Sequence, residues 1–337
     1  MKKTTRKIKV FVAMSGGVDS SVAAVLLKKQ GHEVVGVFMR LGESAGEKAA
    51  KKVAKKLGIK FLVWDFGREF KKVVKDYFLR ELSAGRTPNP CVICNPKIKF
   101  GLFLNKALKS GADFIATGHY ARAKSGRLFA AKDKIKDQSY FLYGLNQKQL
   151  SKTIFPLGDM TKKQVVALAK KRHLPYRAGE SFDICFIDDY QGFLKKHLKL
   201  KPGKIVDSAG KILGHHQGLA LYTIGQRANV GGPGPFYVVA KDSRKNFLVV
   251  SNKEKSLYEK ELIAGRVNWL GGRAKLPCQC QIKIRYQSLT AAATLKDLNK
   301  NQVKVIFKRP QRAITTGQSA VFYGSSGEVL GGGIVLK

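Results

Sequence analysis

Residues 8–21 read Ile-Lys-Val-Phe-Val-Ala-Met-Ser-Gly-Gly-Val-Asp-Ser-Ser, and no other stretch limits the fold of this chain so tightly. An apolar, strand-sized run over Lys9–Met14 gives way to two glycines, and helical spacing then runs from Ser20 to Gln30 and stops at Gly31. Strand, glycine turn and helix in that order put the turn where an open α/β sheet holds its ligand. Gly16 and Gly17 permit close backbone approach to an anion, and the helix behind them offers free N–H groups and the positive end of its dipole. Ser15, Ser20 and Ser21 add hydroxyls, and Asp19 suits either orienting the loop or holding a magnesium ion on bound phosphates. The loop is neither a Walker A motif, which ends Gly-Lys-Ser/Thr, nor a Gly-x-Gly-x-x-Gly dinucleotide fingerprint.

The alternation continues downstream. Glu33–Met39, Lys60–Trp64 and Asp113–Thr117 are further apolar strands, separated by a lysine-rich helix ending at Gly58, a long helix over Arg68–Ala84 and another over Pro96–Ser110. Fully apolar strands alternating with helices predict a doubly wound parallel sheet, covered on both faces. Thr161–Arg172, capped by Thr161, and Tyr190–Leu198 add two helices. After Pro202-Gly203 glycines multiply, helical spacing ends, and short β-rich runs follow at Phe236–Ala240, Phe247–Val250, Gln279–Tyr286, Val303–Phe307, Ala320–Tyr323 and Gly333–Leu336. The expected organisation is an α/β domain over 1–200, a small β-rich domain over 201–260 and a C-terminal β-barrel over 261–337.

Charge narrows the partners. Sixty-three Lys and Arg against 23 Asp and Glu leave a net +40, a surface from which a polyanion would release counterions, so nucleic acid leads. No apolar run is long enough to cross a bilayer, and the basic N-terminus runs into the glycine loop rather than a cleavage site, so a cytoplasmic protein with no membrane partner is expected. Five cysteines are too few for a disulfide scaffold. Cys278 and Cys280 alternate with glutamines, as in a strand that turns both thiols into a core. Cys94 lies among three prolines in nine residues, Pro88, Pro90 and Pro96, which hold the chain non-helical until Lys97. There a helix N-terminus with Lys97 and Lys99 would lower its thiol pKa. Cys185, beside Ile184 and Phe186, reads from pattern alone as readily as a buried, inert residue as a reactive one.

Eight segments carry a resemblance in the same order along the chain: 15–21 (Ser-Gly-Gly-Val-Asp-Ser-Ser), 85–95 (Gly-Arg-Thr-Pro-Asn-Pro-Cys-Val-Ile-Cys-Asn), 116–122 (Ala-Thr-Gly-His-Tyr-Ala-Arg), 136–142 (Lys-Asp-Gln-Ser-Tyr-Phe-Leu), 184–187 (Ile-Cys-Phe-Ile), 222–227 (Tyr-Thr-Ile-Gly-Gln-Arg), 284–286 (Ile-Arg-Tyr) and 317–323 (Gly-Gln-Ser-Ala-Val-Phe-Tyr). The first matches the loop of the PP-loop pyrophosphatases, which split ATP into AMP and pyrophosphate. Together they resemble the tRNA-specific 2-thiouridylases. That resemblance implies a Rossmann-like PP-loop domain with ATP and Mg2+ as cofactors, the nucleotide held by Met14, Ser15, Gly16, Gly17, Val18, Asp19, Ser20, Ser21, Met39 and Gly118. It implies that the C2 oxygen of a wobble uridine is adenylated, and that a persulfide on Cys185 supplies sulfur with Cys94 as partner thiol, by freeing sulfide or through a transient disulfide bond. Two cysteines suit this because sulfur transfer needs a carrier and a resolving thiol, and reaching disulfide distance would require the Cys185 loop to move. The tRNA contacts it implies are Asn89, Pro90 and Cys91 around the target base, His119, the turn Lys136, Asp137 and Gln138, and Arg285, Tyr286 and Gln318 in the barrel. Partners are tRNAs reading Lys, Glu and Gln codons and a sulfur donor such as a cysteine desulfurase or relay protein, with the enzyme a monomer.

Two positions depart from the family pattern: Phe182 takes a usually polar place, and Thr316 stands where Thr-Pro-Gly-Gln is usual. Three other readings stay open. Cys91, Cys94 and Cys185 could ligate a [4Fe–4S] cluster with one open iron. A PP-loop synthetase could adenylate a small molecule, though the basic charge and cysteine pair oppose it. A non-catalytic RNA-binding protein would leave the intact loop and both cysteines unexplained.

Overall fold

The computed structural model describes residues 6–42, 46–177 and 184–337. Five strands form one parallel sheet in the order β3-β2-β1-β4-β7: β1 Lys9–Ala13, β2 Glu33–Arg40, β3 Lys60–Asp65, β4 Phe114–Ala116 and β7 Thr153–Ile154. Between β4 and β7 a hairpin, β5 Arg122–Lys124 and β6 Arg127–Phe129, stands apart from that sheet. Alternate side chains of the apolar strands feed two cores, which is why the strands carry no polar face. Phe11, Ala13, Val35 and Val37 pack with Phe70, Val74, Ile98, Phe103 and Leu104. Val10, Val12, Val34 and Phe38 pack instead with Ala24, Leu27, Ala50, Val53 and Ala54, from helices α1 (Val18–Lys29) and α2 (Gly46–Leu57). The sheet is therefore doubly wound as predicted. Its strand order reverses between β1 and β4, so their carboxyl ends open a crevice.

Two helices bear on the site. Residues 67–83 are one helix with a π-helical segment over Lys71–Lys75. The other corrects an expectation: the prolines do not hold the chain non-helical to Lys97. Pro90 is the N-cap and the helix begins at Cys91, continuing through a π segment Asn95–Leu102 to Lys109. Pro96 has no N–H to give an i−4 carbonyl, and the wider π turn absorbs that gap without ending the helix.

From Gly203 onward the chain is β-rich. A five-stranded sheet, β10-β11-β12-β8-β9, combines β8 Gly203–Val206, β9 Ile212–His216, β10 Arg227–Ala228, β11 Phe236–Asp242 and β12 Phe247–Ser251 around Ile205, Val238, Leu248 and Val250. A closed barrel comes next, β13-β16-β15-β14-β17-β18, from β13 Tyr258–Trp269, β14 Cys278–Lys283, β15 Ala291–Asn299, β16 Gln302–Arg312, β17 Ser319–Tyr323 and β18 Val329–Val335. Cys280 is buried in the barrel core and Cys278 packs against it, as their alternation predicted. Strand β14 stops at Lys283, which leaves Arg285 and Tyr286 in a turn instead of on the strand expected to reach them.

The barrel is fastened to the first domain by polar bonds. Tyr140 donates to the Ser319 carbonyl at 2.9 Å, Tyr143 and Ser319 share a hydroxyl bond of 3.0 Å, and Asn268 donates to the carbonyls of Tyr143 and Leu145 at 2.6 and 2.9 Å. Among the described residues no helix is long and apolar enough to cross a membrane.

Candidate active site

The phosphate loop is built from its own residues. Gly16 takes φ +81°, where an added Cβ would stand 2.4 Å from the Gly46 carbonyl oxygen, so only glycine makes this turn. Ser20 Oγ accepts from Ser15 N–H at 3.2 Å and donates to the Gly17 carbonyl at 3.1 Å, while Ser21 Oγ donates to the same carbonyl at 2.8 Å. Arg177 N–H closes the far side on the Gly16 carbonyl at 2.8 Å. Met14 and Val18 are packing residues at the two ends of the loop, Met14 only 2% exposed. Met39, one residue before the end of β2, is half-buried and in register with Trp64. Gly118, just past β4, brings that strand onto the loop: a Cβ there would lie 2.7 Å from Ser20 N and 2.8 Å from Asp19 C. The loop, Met39 and Gly118 thus border one crevice at the ends of β1, β2 and β4.

Asp19 is tied to two residues that carry no signal of that role in the sequence. Its carboxylate accepts from Lys162 Nζ at 2.7 and 2.8 Å and from Tyr120 Oη at 2.8 Å. Burial first, then the Asp19 charge, pushes the Tyr120 hydroxyl far above its ordinary value, so it remains a donor. The capping box Thr161/Gln164 was a readable signal for the helix start that delivers Lys162. Nothing in the sequence indicated that this lysine, 143 residues from Asp19, would meet it.

The two cysteines differ in kind. Cys94 lies inside the helix, 5% exposed, with its N–H on the Pro90 carbonyl at 2.9 Å. Burial pushes its thiol up to about 12, against the pull of Lys99, with Cys185 and Cys91 adding to the rise. That overturns the lowered pKa expected of a thiol at a helix N-terminus, because desolvation of the thiolate outweighs one cation. Lys99 itself is lowered by burial and raised by Cys94, Cys185 and Cys91, with the net direction upward. It therefore remains a cation, whereas Lys97 is exposed.

Cys185 is exposed, which removes the buried, inert reading that its pattern had left open. Its neighbour Phe186 is the anchor instead, packing on Phe70, Phe78 and Phe193 with ring centroids 5.3, 5.9 and 5.9 Å away, and Ile187 is 6% exposed. Burial of this apolar pair holds the adjacent thiol out at the surface. Phe182 lies outside the described residues. Among the described residues no three His, Cys, Asp or Glu side chains stand together at ligating distance, so Cys91, Cys94 and Cys185 are not arranged here as a ready cluster cradle.

Several of the residues expected to touch RNA are bound into the framework. Asn89 Oδ1 accepts the Cys91 N–H at 3.0 Å, shaping the Asn89-Pro90-Cys91 entry to the helix. His119 is half-buried beside Phe100 and Phe155, with Nδ1 2.8 Å from Thr117 Oγ1. Burial, then Lys99, drives its pKa well down, which keeps the ring neutral. In the turn at 136–138, Asp137 is 6% exposed and spends its carboxylate on Ala131 N, Ser139 N and Ser139 Oγ, while Gln138 Oε1 accepts Tyr120 N–H at 3.0 Å. Lys136 is half-buried in the same turn.

Arg285 is held by the Ile224 and Ala313 carbonyls and Thr315 Oγ1 at 2.8, 3.0 and 2.6 Å, a clamp between the middle sheet and the barrel. The Tyr286 ring packs on that of Phe141, tilted, with centroids 4.4 Å apart. Gln318 Nε2 donates to the Thr87 carbonyl at 2.8 Å, and Thr87 N–H donates to the Thr316 carbonyl at 2.9 Å, so the barrel braces the segment leading to Cys91 and Cys94.

A parallel doubly wound sheet with a Ser-Gly-Gly-x-Asp-Ser loop at its switch point defines an ATP-binding enzyme of the PP-loop class. Three family models match in succession: a tRNA methyl transferase HUP domain over 8–189, a tRNA methyl transferase PRC-barrel domain over 191–252 and an aminomethyltransferase β-barrel domain over 259–335. The tRNA-specific 2-thiouridylase MnmA of Legionella pneumophila is 45% identical over 98% of both chains. That of Halalkalibacterium halodurans is 42% identical over 99% of this chain and 96% of its own, and that of Geobacter metallireducens 43% over 99% and 98%. This chain belongs to the tRNA-specific 2-thiouridylase family.

Proposed function

We propose that the chain converts a wobble uridine of tRNA to 2-thiouridine, with ATP as activator and a cysteine persulfide as sulfur source. The observation that carries the reading is the intact phosphate loop in one domain with an exposed Cys185 and a buried Cys94. The C2 oxygen of the uridine attacks the α-phosphorus of ATP and pyrophosphate leaves, giving an adenylated base. Loop N–H groups at the α1 N-terminus and the hydroxyls of Ser15 and Ser20 suit the phosphates. Mg2+ on the phosphates would supply charge neutralisation, with Asp19 the carboxylate nearest to share in holding it.

The terminal sulfur of a Cys185 persulfide then attacks C2 and AMP leaves, so that base and protein are joined through two sulfurs. Cys94 thiolate attacks Cys185 Sγ, releasing the thiolated base and closing a Cys94–Cys185 disulfide, which an external thiol reduces. In the alternative route Cys94 attacks the persulfide first and frees hydrosulfide as the nucleophile. Either route requires Cys94 to be uncovered, since burial holds it as a thiol until tRNA or a moving Cys185 segment changes its surroundings. In this reading 1–200 carries catalysis, and 201–260 and 261–337 seat a polyanion for which the +40 charge is suited. The isoacceptors are those for Lys, Glu and Gln, the donor a cysteine desulfurase or relay protein, and the enzyme acts as a monomer in the cytoplasm.

The test is thiolation of unmodified tRNA by anaerobically purified protein with ATP, Mg2+ and a cysteine desulfurase, beside Cys91→Ala, Cys94→Ala and Cys185→Ala. Dependence on Cys94 and Cys185 with Cys91 dispensable and no iron bound supports the persulfide route. Activity that collapses in Cys91→Ala and tracks iron content replaces it with the cluster, and absence of 2-thiouridine throughout rejects the reading.

A further inference from the structure

The turn expected to touch tRNA and the loop expected to hold ATP are joined by two short bonded routes. Along the first, Gln138 and Tyr120 exchange bonds, Gln138 N–H to the Tyr120 carbonyl at 2.8 Å and Tyr120 N–H to Gln138 Oε1 at 3.0 Å, and Tyr120 Oη reaches Asp19 at 2.8 Å. Along the second, Asp133 Oδ1 accepts Ile135 and Lys136 N–H at 3.1 Å each while Oδ2 accepts Lys162 N–H at 2.8 Å, and Lys162 Nζ then grips both oxygens of Asp19. Burial raises the Asp133 pKa, but those N–H bonds together with the Lys136 charge bring it down on balance, so the carboxylate stays charged.

Lys162 is the cation in this circuit, half-buried with its ammonium also 6.0 Å from the Tyr120 ring centroid. Its placement has an electrostatic consequence. A carboxylate at the mouth of a loop that must receive a polyphosphate repels its ligand unless a cation neutralises it, and in a half-buried setting that repulsion is weakly screened.

We propose that Lys162 is a positioning residue that holds and neutralises Asp19 and, through Asp133, couples the phosphate loop to the turn at 133–139, so that tRNA seated on the turn tightens ATP binding. This rests on the reading of the chain as a tRNA-modifying enzyme. Because coupling of two ligands is reciprocal, ATP must tighten tRNA by the same factor. The coupling element is rigid and local: the turn is bonded to the backbone N–H of Lys162 through Asp133 and to the backbone of Tyr120, between β4 and β5.

The test is the Kd of a non-hydrolysable ATP analogue with and without unmodified tRNA, by calorimetry, for wild type, Lys162→Met, Lys162→Arg and Asp133→Asn, with the Tm of each recorded. The wild-type ratio of the two Kd values is expected at about 5- to 150-fold, the usual span of such couplings. Lys162→Met is expected to weaken the analogue about tenfold without tRNA and to lower the ratio several-fold, the Gln138–Tyr120 route remaining. Lys162→Arg restores both to within a few fold, and Asp133→Asn lowers the ratio with a smaller change in the tRNA-free Kd. A Lys162→Met protein with wild-type Kd and ratio overturns the proposal, as does a loss that Lys162→Arg fails to rescue at unchanged Tm. A wild type that forms 2-thiouridine with a ratio of one overturns the coupling alone, whereas one that binds no tRNA overturns both the coupling and the functional reading.

Discussion

The phosphate loop and the cysteine pair are the two halves of the site, and they are made on opposite plans. The loop is preorganised: Ser15, Gly17, Ser20 and Ser21 bond one another across five positions or fewer, and its sharpest turn is a glycine at φ +81°. The cysteines come from 91 residues apart, one sealed in a helix and one held out on a turn by Phe186 and Ile187. Binding a phosphate needs fixed dipoles, which a local turn supplies without rearrangement. In the proposed reaction, passing sulfur between two thiols needs them apart and then together, and one buried and one exposed thiol suit that.

The sharpest test of this contrast is Cys185→Ser, expected to abolish 2-thiouridine formation, on the order of 10³-fold or more, while tRNA-dependent pyrophosphate release continues. Loss of both in a folded protein would make the two halves one unit. Gly118→Ala is expected to weaken ATP about 10- to 100-fold, since its methyl would meet the backbone of Asp19 and Ser20 and overpacking costs about 1–3 kcal/mol. Titration calorimetry reads this, and wild-type affinity would show the crevice is not preorganised.

Third, iodoacetamide labelling at pH 8, read by peptide mass mapping, should modify Cys185 about 100-fold faster than Cys94. A thiol pushed from 9.0 to about 12 has roughly a thousandfold less thiolate. The sign of the linked stability is set by the neutral form being favoured in the fold. The Cys94 contribution is present below pH 9 and is lost as pH rises from 9 toward about 12, so alkaline melting of wild type should converge on that of Cys94→Ala. Smallest is Thr316→Pro, which restores the family's usual residue. The Thr316 carbonyl that receives Thr87 N–H is retained, and a stability gain within about 1 kcal/mol is expected, read as a small rise in Tm.

Legibility tracked the range of the interactions. Strands such as Glu33–Arg40 were readable because an apolar run of β-branched residues fits only a sheet buried on both faces. Strand β15, Ala-Ala-Ala-Thr-Leu-Lys-Asp-Leu-Asn, was not, since its alanines favour helix and only pairing with β14 and β16 overrides them. The start of the Cys94 helix was misplaced because proline rules describe a regular α-helix, and a π segment escapes them.

Within the site, Asp19 was readable as a loop residue but its partners Lys162 and Tyr120 were not, lying 143 and 101 positions away. Sequence by itself determined the reaction class, through a loop whose glycines and serines act on their immediate neighbours and through cysteines whose chemistry travels with the residue. Tertiary structure decided which thiol is covered and which exposed, that Arg285 and Gln318 bond to the framework between domains, and that a lysine neutralises Asp19. Burial and cross-chain contact set desolvation and charge pairing, and neither is a property of residues adjacent in the chain.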